Sequence, residues 1–401
     1  MKNTKVLIAG YLGMFFFGVA FLVMGAVLPS LAAKFSLTEA DSSLLVSFLP
    51  FGTIFGSLVF GPIIDKYGYK SLMLVAMALG AIGLETIAFG PSTGIVRGGI
   101  FILGISGGML NGATNALVSD ASDDKSKAAN LSLLGFFYCV GAISLPLLLA
   151  SLPESVTYSH IVGSAGAMMV ATFVYYLFVE FPKAKFQQGF PIKKVLGMAK
   201  EPLLLLFSFV LFFQSALEGL SNNWSPQYLA THHGFAADQA QYALSFLVVG
   251  MAISRLSLTF ILKKVDGVKV IIMSMGLIVA GALCTLFATG TAAAIVGAVL
   301  LGMGLAATFP IALGKVGEKY KEMSGTAFSL ALVISLFGNT IMNLIIGQVP
   351  SWRCDAAVRP KLADALMVGF PRLPRFVVTM MTPFAPRTPY INVCNKRQHH
   401  S

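Results

Sequence analysis

Charge is what this chain has least of. Of its 401 residues only 11% are charged and 56% are hydrophobic, with a mean hydropathy of +0.80. A soluble domain carries about 25% charged residues, so soluble enzymes and nucleic-acid-binding modules are excluded. Catalytic signatures are missing as well. The chain has no HExxH, CxxC or GxxxxGK[ST], and its adjacent His232 and His233 have no ligand partner at metal spacing. No catalytic residue, metal or cofactor is expected. Cysteine is scarce: Cys139, Cys284, Cys354 and Cys394 lie far apart, two of them inside apolar runs. They read as packing residues rather than disulfides.

What is present is a series of apolar runs, each long enough for the roughly 20 helical residues that cross a bilayer. Eleven spans are expected, near 6–33, 42–64, 71–90, 95–118, 129–152, 158–181, 202–230, 237–262, 268–288, 291–314 and 324–349. The first could pass for a signal peptide, but its apolar stretch outruns the usual 7–15 residues of one. The fold class is therefore all-α integral membrane. The breaks are short except for "PKAKFQQGFPIKKVLGMAK", which is basic and holds two prolines. It divides the chain into a six-helix half at 1–181, a linker at 182–200, a half with five recognisable spans at 201–349, and an atypical tail at 350–401.

Lysine placement gives the orientation. With the N-terminus inside, seventeen lysines fall in inside segments, against only Lys34 and Arg97 outside. That is the positive-inside bias of a membrane protein with a cytoplasmic N-terminus, in a bacterial inner or a plasma membrane.

The two halves repeat at an offset near 198. "LVSFLPFGTIFGSLVFG" (45–61) parallels "ALSFLVVGMAISRLSLT" (243–259), keeping Ser47/Ser245, Phe48/Phe246, Leu49/Leu247 and Gly52/Gly250 in register. "ILGISGGMLNGATNAL" (102–117) lies over "LLGMGLAATFPIALGK" (300–315). Parallel six-helix repeats of this kind are a transporter architecture.

One stretch concentrates charge between two greasy spans: "GPIIDKYGYK", residues 61–70, on the predicted inner side. Gly61 lets helices approach closely, and Gly68 permits a tight turn. Lys66 and Lys70 favour the inner face, and the Asp65 carboxylate can meet the positive N-terminal end of a helix across the interface. The pattern G-x-x-x-D-[RK]-x-G-x-[RK] resembles the loop between spans two and three of the major facilitator superfamily. The resemblance implies two helical halves working by alternating access, with this loop latching them shut on the cytoplasmic side.

Three further stretches resemble the fucose permease and glucose/galactose transporter group. They are "FFFGVAFLVMGAVLPSLAAKFSLTEADSSLLVSFLPFGTIFGS", the "GYK" end of the loop, and "LEGLSNNWSPQYL" at 217–229. That group carries an acidic residue on span one and a glutamate on span four; the matching positions here are Gly25 and Asn111. The resemblance thus implies transport of a sugar while leaving proton coupling open between symport and uniport.

Polar side chains inside membrane spans are costly and by default face a cavity or another helix. Gln214, Glu218, Asn222 and Ser225 follow at intervals of 4, 4 and 3 on span seven, with Trp224 beside them. Ser335, Asn339 and Asn343 follow at intervals of four on span eleven, and Asn111 and Asn115 on span four. Amides donate and accept, which suits a hydroxyl-rich solute, and an indole offers an apolar face to a sugar ring. The expected substrate site is Asn111, Asn115, Gln214, Glu218, Asn222, Trp224, Asn339 and Asn343. The other reading is that such amides tie helices together. Glu218 is the candidate for carrying a proton; Glu85 on span three reads as structural. Arg255, on span eight, is expected at the contact between halves rather than in solute binding, and in the gating set with Gly61, Asp65, Lys66, Gly68 and Lys70.

A twelfth span is expected after residue 349 and is not found. The tail carries eight basic residues against Asp355 and Asp364, with recurrent prolines. It reads as an out-of-frame or alternative end, with a disordered basic tail on anionic lipid as the other reading. The expected function is a monomeric secondary transporter whose partners are a small solute, the bilayer and, for a symporter, protons. The alternatives are proton-driven efflux of drugs or metabolites, and a non-transporting or defective membrane protein.

Overall fold

The computed structural model of the chain describes residues 2–37, 39–151, 156–183, 197–233 and 237–348. Most of the linker and the whole basic tail therefore lie outside the described residues. The chain runs as α1 (Lys2–Phe35), α2 (Glu39–Tyr67), α3 (Tyr69–Phe89), α4 (Thr93–Ala121), α5 (Lys127–Ser151) and α6 (Tyr158–Phe178). It continues as α7 (Pro202–His233), α8 (Ala237–Ile261), α9 (Gly267–Leu286), α10 (Thr291–Leu305), α11 (Thr308–Lys319) and α12 (Ser324–Gln348), the last preceded by a 3₁₀ turn at Lys321–Met323. Among the described residues ten stretches are long and apolar enough to cross a membrane, α10 and α11 together forming one of them. The apolar part of α8, Ser245–Ile261, is a shorter eleventh.

Small residues set how the helices pack. Where two spans meet without a hydrophobic driving force, glycine lets the backbones close to van der Waals distance. On α2 and α4 a Cβ at Gly52 would stand 2.9 Å from the Gly104 Cα, and one at Gly104 would stand 3.0 Å from the Gly52 Cα. At an offset of 198, Gly250 of α8 meets the Val299 backbone of α10 and Gly302 meets that of Leu247, just as Gly52 meets Phe101 and Gly104 meets Leu49. The pair α1–α5 has a counterpart too. Gly141 presses on the Phe15 backbone, and Gly338 of α12 presses on that of Phe212 on α7. The internal repeat is a repeat of backbone contacts.

Helices of the first six meet those of the last six chiefly along α5–α8 and α2–α12. Glu85, on α3, lies against α6, its carboxylate filling the place a side chain at Gly166 would need. Cys139 and Cys284 are free thiols. At the one glycine with a left-handed backbone among the described residues, Gly68 (φ 83°), the chain turns from α2 into α3. That conformation costs glycine nothing and other residues about 1 kcal/mol or more.

The span made of α10 and α11 breaks at Ala306 and Ala307 for a local reason. Pro310 has no N–H to give the carbonyl four residues back, and its ring crowds that turn. A neighbouring carbonyl at the break is met from outside: Gln214 Nε2 donates to the Leu305 carbonyl at 2.7 Å.

Candidate functional site

A cavity of about 90 Å³ lies between the two sets of helices. From α4 it is lined by Asn111 and Asn115, from α7 by Ser215, Glu218 and Gly219, from α8 by Arg255, and from α12 by Ser335 and Asn339. Its apolar wall comes from Phe17 and Phe21 of α1, Tyr138 of α5, and Phe309 and Pro310 at the start of α11. Four residues predicted from amide and carboxylate spacing thus stand around one space: Asn111, Asn115, Glu218 and Asn339.

The amides on α4 are organised as a pair. Asn115 Nδ2 donates to the Asn111 carbonyl at 2.7 Å and to Asn111 Oδ1 at 3.2 Å, and both residues are buried. Each is therefore held in one orientation by its neighbour a turn away, as residues at i and i+4 can be. Glu218 is half-buried and lies within electrostatic reach of Arg255 and Tyr138. Arg255 is 5% exposed. Its Nη1 donates to the Gly135 carbonyl at 2.9 Å, and its guanidinium sits 5.5 Å from the Tyr138 ring. Tyr138 in turn stacks on Phe17 with centroids 5.5 Å apart. The arrangement offers an aromatic face on one side and opposed charges with amides on the other.

Other predicted residues lie elsewhere. Gln214 is buried and spends its amide on the α10–α11 break rather than lining the cavity. It occupies the same stripe of α7 as Glu218, but the neighbour one turn up is a broken helix. Asn222, Trp224 and Asn343 fall in α7 and α12, and their side chains lie outside the described residues; Gly25 falls in α1. Tyr138, Phe17, Phe21 and Phe309 were not singled out from sequence, because an aromatic in an apolar run looks the same whether it faces lipid, a helix or a cavity.

The charged loop sits at the lysine-rich end of the bundle, against α12. Asp65 is fully buried, and its Oδ2 accepts from the Thr326 backbone N–H at 2.9 Å and from the Thr326 hydroxyl at 2.5 Å. An unpaired amide in the first turn of a helix is a natural partner for a carboxylate. Gly61 makes the approach feasible, since a Cβ there would stand 2.5 Å from the Gly325 carbonyl oxygen. Lys70 Nζ donates to the Leu177 carbonyl near the end of α6 at 2.7 Å, and Lys66 lies over the Tyr67 ring. A second carboxylate joins from α4: Asp120 Oδ2 accepts from Ser324 at 3.0 Å and from the Tyr69 hydroxyl at 2.6 Å. At the helix ends Lys321 reaches Asp124 at 2.6 Å and Lys127 reaches it at 3.1 Å, and both hold the Asp124 carboxyl below its ordinary range. Arg255 lies at a separate contact between the helix sets, α5 with α8, where the Ser132 hydroxyl of α5 donates to its carbonyl at 2.7 Å.

Comparison with known proteins agrees with this layout. A family model described as the Major Facilitator Superfamily matches residues 10–342. The glucose/mannose transporter GlcP of Bacillus subtilis is 24% identical over 357 residues, covering 84% of this chain and 86% of its own length. YfkL of the same organism, an uncharacterized MFS-type transporter, is 23% identical over 364 residues, covering 87% and 90%. In three dimensions the chain superposes on FucP in the outward conformation with a TM-score of 0.70 at 20% identity, covering 86% of this chain and 91% of FucP. It superposes on the proton:xylose symporter XylE with a TM-score of 0.72 at 13% identity, covering 88% and 90%.

Proposed function

This chain belongs to the Major Facilitator Superfamily, and from that premise we propose that it is a secondary transporter moving a monosaccharide by alternating access. The observation that carries the reading is the cavity between the two helix sets, with Asn111, Asn115, Glu218, Arg255 and Asn339 facing an aromatic wall of Phe17 and Tyr138. Amides and a balanced pair of charges suit the many donors and acceptors of a neutral polyol. Relatives named for glucose, mannose and xylose support the same solute class.

The two halves, 1–181 and 201–349, rock about this cavity. The contacts of Asp65 with Thr326 and of Asp120 with Ser324 close one end, which we assign to the cytoplasm of an inner or plasma membrane with the N-terminus inside. Gly61, Lys66, Gly68, Lys70 and Arg255 belong to the same gate. Asn222, Trp224 and Asn343 extend the solute site, and Gln214 supports it from the helix break. Where transport is coupled to protons, Glu218 carries the proton. The protein works as a monomer and does no covalent chemistry.

The test is counterflow of labelled hexoses and deoxyhexoses into proteoliposomes preloaded with unlabelled sugar, with no ion gradient imposed. Transient accumulation of one sugar is the expected result. A flat trace across the panel with folded protein refutes the reading.

A further inference from the structure

We propose that Arg255 reads the solute directly and, by doing so, reports occupancy of the cavity to the contact between α5 and α8. The solute half of this inference rests on the transport reading above; the mechanical half does not.

A guanidinium deep in a membrane bundle is expensive and has to be committed to partners. Arg255 is only partly so. Of its five N–H donors, Nη1 serves the Gly135 carbonyl and, at 3.7 Å, the Cys139 sulfur. Its Nε is buried and meets no hydrogen-bond acceptor among the described residues. A buried charged donor without an acceptor carries its full desolvation penalty. Arg255 lines the cavity, so an oxygen entering there can supply what is missing.

Glu218 lines the same cavity and interacts with Arg255 electrostatically, yet no ion pair within 4.0 Å joins them among the described residues. Together they offer a donor and an acceptor without net charge. The ligand class this fits is a neutral molecule with neighbouring hydroxyls. One hydroxyl oxygen accepts from Nε, and the next hydroxyl donates to the Glu218 carboxylate.

The mechanical half follows from Gly135. A Cβ at that position would stand 2.8 Å from Arg255 Cδ and 3.0 Å from both Nε and Nη1. The arginine therefore lies flat on the α5 backbone because residue 135 has no side chain. The same α5 segment holds the Arg255 carbonyl through Ser132. A guanidinium turning toward a solute withdraws Nη1 from the Gly135 carbonyl and weakens one of the contacts that hold α5 to α8.

The experiment uses the full chain in lipid nanodiscs, as wild type, R255K, R255Q and G135A. Calorimetry measures binding of D-glucose, D-mannose, L-fucose and the monodeoxy forms of whichever sugar binds. Spin labels at Lys125 and Lys263, both exposed and on opposite helix sets, report the opening of the lysine-rich end. Expected results are at least tenfold weaker sugar binding in R255Q, with partial recovery in R255K. One monodeoxy sugar should bind poorly to wild type yet lose little further in R255Q. Without sugar, R255Q and G135A should both shift the label distances toward the longer population. Unchanged affinity and unchanged deoxy discrimination in R255Q overturn the proposal. If wild type binds no sugar of the panel, the monosaccharide reading fails on its own. The sugar-free distances then decide the gate role, and identical distributions in wild type and R255Q overturn it.

Discussion

Asp65 and Thr326 are 261 positions apart in the chain and share two hydrogen bonds, from the backbone N–H and from the hydroxyl of Thr326 to the same carboxylate oxygen. The carboxylate comes from the end of α2 and the donors from the first turn of α12, so the contact ties one helix set to the other. It exists because Gly61 and Gly325 leave no side chains between the two helices.

Asp65→Ala should open that end. Hydrogen bonds to charged groups contribute about 1.5–3 kcal/mol, so the ratio of closed to open protein should fall roughly tenfold to a hundredfold. Distances between spin labels across the lysine-rich end measure it, and an unchanged closed population would refute the latch.

Gln214→Leu should lower stability and leave solute affinity within about twofold. The Leu305 carbonyl loses its side-chain donor, a loss of about 1–3 kcal/mol for a buried acceptor. Thermal unfolding in detergent together with calorimetry checks both halves. A tenfold loss of affinity at wild-type stability would return Gln214 to the solute site.

Gly104→Val and Gly302→Val should damage the protein to a similar degree, because they fill equivalent contacts in the two halves. Overpacking costs about 1–3 kcal/mol in a well-packed core, and here the obstruction is backbone. Monodisperse yield and unfolding temperature are the readouts. Wild-type behaviour of either variant would show that the repeat is one of composition alone.

Glu218→Gln should keep counterflow and lose accumulation driven by a proton gradient, if Glu218 is the proton carrier. Loss of both would make it a solute ligand only, and retention of both would place coupling elsewhere.

The Asp124 contact should be insensitive to pH across the neutral range. Lys321 and Lys127 hold its carboxyl below the ordinary 3.8. A lowered carboxylate contributes above its unfolded value and is lost as pH falls through its folded value. A fluorescence pair across Asp124 and Lys321 should therefore read the same from pH 8 to pH 5 and separate only in stronger acid.

The charged loop was the most legible part of the chain. An aspartate between glycines is conspicuous among apolar spans, and its role as partner to a helix N-terminus follows from electrostatics. Which helix it meets was not legible, for Thr326 is an unremarkable threonine until α12 is packed against α2. Helical spacing brought forward Asn111, Asn115, Glu218 and Asn339, which line one cavity. The same spacing put Gln214 with Glu218, because periodicity reports a face and not what that face meets. The proline that decides the matter, Pro310, is almost a hundred residues away. Arg255 was placed at the contact between halves by its position in its span. Its second exposure, to the cavity, depends on Gly135, a glycine with no signal of its own.

The four residues Tyr320, Lys321, Glu322 and Met323 are all that separates α11 from the Ser324 start of α12. Each residue of an α-helix advances about 100° around the axis. One residue added to that turn would rotate Ser324 and Thr326 away from Asp120 and Asp65 together, with every side chain of the latch intact. The length of this connection is thus fixed as firmly as the identity of any residue in the contact. Variation among related chains should leave its sequence free and its residue count constant.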